Sequence, residues 1–332
     1  MSDEKKVQFK GDAGEYFRIW IVNLFLSIIT LGIYTAWAKV INTKYLYQNL
    51  SIEGHKFDYI ADPFRILKGR LVAIFLLILV SILATYFPSL YLISIIILLL
   101  LTPWIINRSL SFQMRMTTYR NVSFDFKGDY GNSFWYFLFL PFLSIFTLYL
   151  ALPAVLRRSD EYQISKTKYG NKYFISTLSS SEYYIAALSS FAGLFLVGVV
   201  FGILYMLTQA SSPILNFLVI LFGYISAGAL TSSIWGVIIR NHTFNNSRLL
   251  DVATFDSSMD IKSYAYIVFT NILVLIFSLG LATPWVTIRN TKYLSSTLEV
   301  ATEPGIDLII DDIAKNTSAV IDEVAGAFDI EI

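Results

Sequence analysis

Residues 71 to 106 and 183 to 239 contain no Asp, Glu, Lys or Arg. The first stretch divides at Tyr86-Phe87-Pro88-Ser89 into arms of about 17 residues, the lower limit for crossing a hydrocarbon core of roughly 30 Å. The second divides between Thr208 and Pro213 into arms of about 25 residues, long enough to cross with some tilt. Each predicts a transmembrane hairpin. Three further apolar stretches, 19–38, 134–156 and 263–286, are long enough to cross but are interrupted by Gly or Pro. Val40 to Asn49 and Arg108 to Tyr119 read as helical continuations out of the membrane. Alternating aromatic and polar residues at His55–Tyr59 and Val122–Phe126 predict short strands with one apolar face, and Lys172–Ile175 and Leu250–Phe255 are comparable. Strands this short are stable only when assembled, which predicts one small cytoplasmic sheet with turns at Glu53-Gly54 and Lys127-Gly128-Asp129.

A fixed offset ties these stretches together. Residues 23–50 align without a gap on 271–298, with 12 identities in 28 at an offset of 248. The matches set Asn23 on Asn271, Gly32 on Gly280 and Trp37 on Trp285. A second offset, 117, sets Phe9-Lys10-Gly11-Asp12 on Phe126-Lys127-Gly128-Asp129 and Leu31 on Leu148, but Tyr149 and Ala154 stand where Gly32 and Trp37 would recur. The middle copy has drifted, and the third reads as having lost the opening motif. Gly32 and Gly280 suit a break in the backbone whose freed amides the preceding hydroxyl can cap, or a close helix contact. Asn23 and Asn271 suit a helix–helix hydrogen bond or the lining of a solute path. The motif holding Gly11, Asp12, Gly128 and Asp129 lacks the spacing of a phosphate-cradling loop and is read as a turn into the membrane. Gly198 and Gly202 form a small-residue step suited to helix packing within the chain or to a homo-oligomer.

Charge bears on topology. If all three interrupted segments cross, the 25 Lys and Arg split 12 against 13 across the membrane. If they dip and return, only the two hairpins cross and every cation falls on one side, which short cytoplasmic loops favour. The expected fold class is therefore an all-α polytopic membrane protein with internal repeats. It comprises two transmembrane hairpins, three interrupted segments that are re-entrant or spanning, and a small cytoplasmic part with short strands. The units are 1–70, 71–106, 107–182, 183–239, 240–302 and an acidic amphipathic C-terminal helix at 303–332.

The chain is 55% hydrophobic, and its 25 basic residues nearly cancel its 24 acidic ones, which argues against a nucleic-acid partner. With no cysteine and two isolated histidines, His55 and His242, no metal centre is expected. No cofactor motif is found. No ionisable residue lies inside the apolar segments, which disfavours ion-coupled transport, and no catalytic motif occurs. Glu15, Asp58 and Asp62 lie near enough to the membrane face to work on lipid headgroups, but scattered carboxylates are usually solvated.

The runs Phe9-Lys-Gly-Asp-x-Gly-Glu-Tyr-Phe, Thr30-Leu-Gly-Ile-Tyr-Thr-Ala-Trp-Ala-Lys-Val, Gly69-Arg70, Tyr119 to Gly128, and the closing Glu323-Val-Ala-Gly-Ala-Phe-Asp-Ile resemble the YjgN-like bacterial inner-membrane family, whose activity is unknown. The resemblance implies a location in the bacterial cytoplasmic membrane. It supplies neither substrate nor catalytic residues. The function expected from the residues is a non-enzymatic membrane scaffold or assembly factor, with most charged residues cytoplasmic. Its partners would be the lipid bilayer and a cytoplasmic protein docked on the C-terminal helix. A passive channel or permease and a lipid-active enzyme are the alternatives.

Overall fold

The computed structural model describes residues 4–209, 212–303 and 305–306. Among the described residues, four helices are long and apolar enough to cross a membrane: α3 (Pro63–Tyr86), α4 (Pro88–Arg115), α8 (Ser180–Thr208) and α9 (Pro213–Asn245). Their apolar side chains point outward with few buried, as a lipid-facing surface requires. Helices α3 and α4 are joined through Phe87, and Pro88 supplies the first residue of α4, where a missing N–H costs nothing. Both helical hairpins predicted from the charge-free stretches are present.

Each of the three interrupted segments doubles back on itself. Helix α1 (Ala13–Ile29) turns at Thr30–Tyr34 into α2 (Thr35–Gln48), and α10 (Ile261–Phe277) turns into α11 (Thr283–Ser296). The middle hairpin is less regular: α5 (Tyr130–Phe134), a π-helical turn at Trp135–Phe139, α6 (Leu140–Phe146), then α7 (Leu152–Lys166). The bends share one construction. Gly32 N donates to Ser27 O at 2.7 Å, Tyr149 N to Ser144 O at 2.8 Å and Gly280 N to Leu275 O at 2.9 Å, each with left-handed backbone (φ 91°, 62° and 85°). The drifted middle copy thus keeps the bend, with Tyr149 taking the conformation that glycine takes in the other two. A hydroxyl then caps an amide four residues on: Tyr34 N donates to Thr30 Oγ1, Ala151 N to Thr147 Oγ1 and Ala282 N to Ser278 Oγ.

The β structure is larger than the small sheet expected, and the all-α description is corrected accordingly. Strands β1 (Glu4–Lys6) and β2 (Gln8–Phe9) are one segment interrupted at Val7. Hairpins β3–β4 (Leu50–Ile52, His55–Tyr59), β5–β6 (Thr117–Tyr119, Val122–Phe126), β7–β8 (Thr167–Tyr169, Lys172–Ser176) and β9–β10 (Ser247–Leu249, Ala253–Ser257) follow, then β11 (Leu298–Thr302). Every neighbouring pair is antiparallel. Because β1 pairs with β11 while β2 pairs with β3, the sheet curls round until its ends share one strand. Among the described strands no edge is left to pair with another chain. Five helical hairpins alternate with these strands, all at one end, with the β-turns at the other. The helices close a ring too, α11 packing on α1.

One expected boundary moves. Leu250–Val252 form a turn, with β10 starting at Ala253, because Asp251 takes a left-handed conformation. The turn between β5 and β6 is Arg120–Asn121, left-handed at both residues as a two-residue hairpin loop requires. Lys127–Asp129 lead from β6 into α5. Gly198 and Gly202 meet nothing within 4 Å of a built Cβ, whereas Gly193 packs on Ile234 and Gly223 on Phe201, so the close approach of α8 and α9 uses other glycines than the step expected to carry it. The C-terminal helix expected at 303–332 falls almost wholly outside the described residues.

Candidate functional site

Where the short hairpins meet the sheet, a tyrosine latch recurs three times. Asp12 N donates to the Tyr45 hydroxyl at 3.0 Å, Asp129 N to Tyr162 at 3.0 Å and Asp260 N to Tyr293 at 3.1 Å. Each hydroxyl also lies 3.1 Å from the carbonyl of the same aspartate. The aspartates cap their helices through Glu15 N, Asn132 N and Ser263 N, and these N–H groups hold all three carboxyls below the usual range. Burial pushes the Tyr45 hydroxyl up to about 12. The third copy has therefore kept its opening aspartate, at the same offset of 248, while Ser257, Ser258, Met259 and Lys262 stand where Phe9, Lys10, Gly11 and Gly14 do. The rings of Phe9 and Phe126 lie across Gly11 and Gly128 where a Cβ would stand, so these glycines serve close packing.

The other singled-out residues hold the ring together. Asn23 Nδ2 donates to Asn42 Oδ1 at 2.9 Å, and Arg289 Nη1 donates to Asn271 Oδ1 at 3.1 Å; both asparagines are buried inside their own hairpins. Trp37 meets Phe64 of α3 edge-on at 5.2 Å, and Trp285 meets Phe17 of α1 at 4.8 Å, so one repeat position joins the first and third short hairpins to their neighbours. Glu15 accepts from Tyr45, Asp58 from Gln48 and Asp62 from Phe64 N. These three carboxylates face structural partners, and they lie outside the cavity described next.

Inside the sheet the register stacks apolar pairs. Phe57 lies opposite Tyr119, Phe124 opposite Tyr169, Phe174 opposite Leu249 and Phe255 opposite Val300, so the central Phe of each hairpin meets the inward residue of the next strand. Tyr119 and Tyr169 satisfy their hydroxyls on Ile52 O and Tyr119 O, at 3.0 and 2.9 Å, and burial pushes the Tyr119 hydroxyl up to about 12. These side chains line a cavity of about 790 Å³ that continues between α4, α7 and α9. Leu110, Met114, Ile164, Trp235 and Ile239 extend the apolar wall, while Asp160, Gln163, Arg240 and Ser247 supply polar groups. Asp160 accepts from the Tyr183 hydroxyl at 2.6 Å, and burial raises its carboxyl above the usual range. Arg240 donates through Nη2 to Leu294 O at 2.7 Å and stacks on Phe244, while its Nε has no hydrogen-bond partner. Ile306, at the end of the described chain, is buried against the same interior. A concave apolar volume with few polar groups is what a ligand pocket of 300–1,000 Å³ consists of.

Sequence reasoning found the greasy strand faces but not the cavity, since closure depends on β1 and β2 pairing in opposite directions around the ring. It also missed Tyr162, which the offset of 117 places on Tyr45, together with Asp160 and Arg240. Among the described residues no cluster of His, Asp and Glu is arranged to hold a metal.

Residues 4–327 match the family described as bacterial protein of unknown function (DUF898), and the chain belongs to that family. It is 29% identical over 211 residues to the inner membrane protein YjgN of Escherichia coli (strain K12), covering 61% of this chain and 47% of the relative. It is 32% identical over 134 residues to the inner membrane protein YjgN of Salmonella typhimurium, covering 40% of this chain and 34% of the relative. The chain thus spans less than half the length of these relatives. No solved structure matches it.

Proposed function

We propose that this member of the family is a non-enzymatic inner-membrane binding protein that receives the apolar chain of a membrane amphiphile inside its closed sheet. The supporting observation is the cavity of about 790 Å³, apolar along the strands and running between α4, α7 and α9 at the membrane-facing end. In this reading the four long helices cross and the three short hairpins dip into one leaflet and return. The apolar bend residues Leu31, Leu148 and Leu279 are 94%, 84% and 93% exposed, a costly arrangement in water and a favourable one in lipid. The β-turns and charged collar then lie in the cytoplasm, as the cation distribution favours. The solute-path alternative loses its proposed lining, because Asn23 and Asn271 are engaged within separate hairpins.

Native mass spectrometry of the protein extracted in mild detergent tests the reading. The parent retains an acyl-bearing lipid that Leu249→Trp, which fills the interior, releases while the helical circular dichroism is unchanged. Equal retention by both proteins would count against a ligand in the sheet.

A further inference from the structure

A second cavity, about 390 Å³, opens on the flank of the middle short hairpin and is framed by Asn132, Trp135, Arg157, Arg158, Glu161 and Lys166. Three cations face one carboxylate there. Arg157 Nη1 is engaged by Glu161 at 2.6 Å and by Leu178 O at 3.1 Å, which leaves its buried Nε without a hydrogen-bond partner. Neither Arg158 nor Lys166 forms an ion pair with a described residue, and Arg158 is exposed. The repeat shows that the fold itself does not need a charge at Arg157 or Lys166, whereas Arg158 corresponds to Ile41 and to Arg289. At the offsets of 117 and 248, Arg157 corresponds to Val40 and Ile288, and Lys166 to Asn49 and Thr297, while the neighbouring latch tyrosine is kept in all three copies. This hairpin alone among the three carries the π-helical turn, which begins at the half-exposed Trp135. π-Turns are frequent at functional sites, and exposed tryptophans suit the headgroup level of a bilayer.

We propose that this pocket binds the phosphodiester of an anionic phospholipid, with Arg158, Lys166 and the free Nε edge of Arg157 as donors and Trp135 against the glycerol backbone. Guanidinium groups recognise phosphate through directional charged hydrogen bonds, and basic pockets beside membrane helices are a recurrent form of headgroup site. The site is separate from the cavity within the sheet.

The test uses the full chain in phosphatidylcholine nanodiscs doped with phosphatidylglycerol, with bound lipid counted by native mass spectrometry. Arg158→Gln with Lys166→Gln lowers phosphatidylglycerol retention about tenfold, and Arg158→Gln alone, at an exposed position, lowers it part of the way. Lys56→Gln at the turn end of the sheet leaves retention unchanged. Equal retention by the parent and the double variant overturns the proposal. Displacement of the lipid by millimolar inorganic phosphate would reassign the site to a soluble phosphate and overturn the lipid assignment.

Discussion

At the scale of single residues, the repeat separates what the fold requires from what one copy has added. The latch tyrosines satisfy a backbone amide at the rim of the sheet, and Tyr162 alone also meets the buried Ser133 hydroxyl, at 2.9 Å. Tyr45→Phe and Tyr293→Phe should each cost about 1 kcal/mol, and Tyr162→Phe about 2 kcal/mol because a buried hydroxyl loses a partner, as measured by thermal unfolding in one detergent. The bends give a prediction of opposite sign. Tyr149 holds φ at 62° without being glycine, so Tyr149→Gly should stabilise by up to about 1 kcal/mol, whereas Gly32→Ala, at φ 91°, should destabilise by about the same amount. Asp160 supplies a pH dependence. Burial raises its carboxyl above the ordinary value, so its contribution to stability is fully present below the unfolded value of about 3.9 and is lost as pH rises through the folded one. Asp160→Asn keeps an oxygen to accept from Tyr183. Its unfolding temperature should exceed the parent's near pH 8, with the difference closing near pH 3.5.

At the scale of elements, the sequence was most readable where one environment surrounds a segment. The charge-free stretches announce their hairpins because lipid admits no ionised side chain cheaply, and His55–Tyr59 and Val122–Phe126 match β4 and β6 because a half-buried strand imposes alternation. The partner strands Leu50–Ile52 and Thr117–Tyr119 were not marked. Three residues are too few to show a period, and Thr117–Tyr119 continues the helical pattern of α4. The drift at Tyr149 and Ala154 removed the glycine signal from the middle bend, although residue 149 takes the same left-handed conformation and makes the same hydrogen bond, to Ser144 O, as Gly32 and Gly280 make to their own preceding turns. Phe124, paired with Tyr169 and packed at 6.4 Å from Phe174, sits at the middle of the inner layer. Phe124→Ala should cost about 3 kcal/mol, whereas Ser123→Ala on the opposite face should stay within about 0.5 kcal/mol.

At the scale of the whole molecule, five helical hairpins and a closed sheet make one body only if each hairpin leaves and re-enters at the same rim. That constraint is topological: an odd number of crossings in any hairpin would separate strands that are hydrogen-bonded to each other. The chain has no native cysteine, so single cysteines can report the side of each β-turn. Lys56→Cys, Ser123→Cys, Asn171→Cys and Thr254→Cys place an exposed thiol on each of the four hairpins. All four should resist a membrane-impermeant maleimide in intact cells and react after permeabilisation. Labelling of Lys56→Cys from outside while Ser123→Cys stays protected would contradict the closed sheet, because β4 and β5 could not then be neighbours.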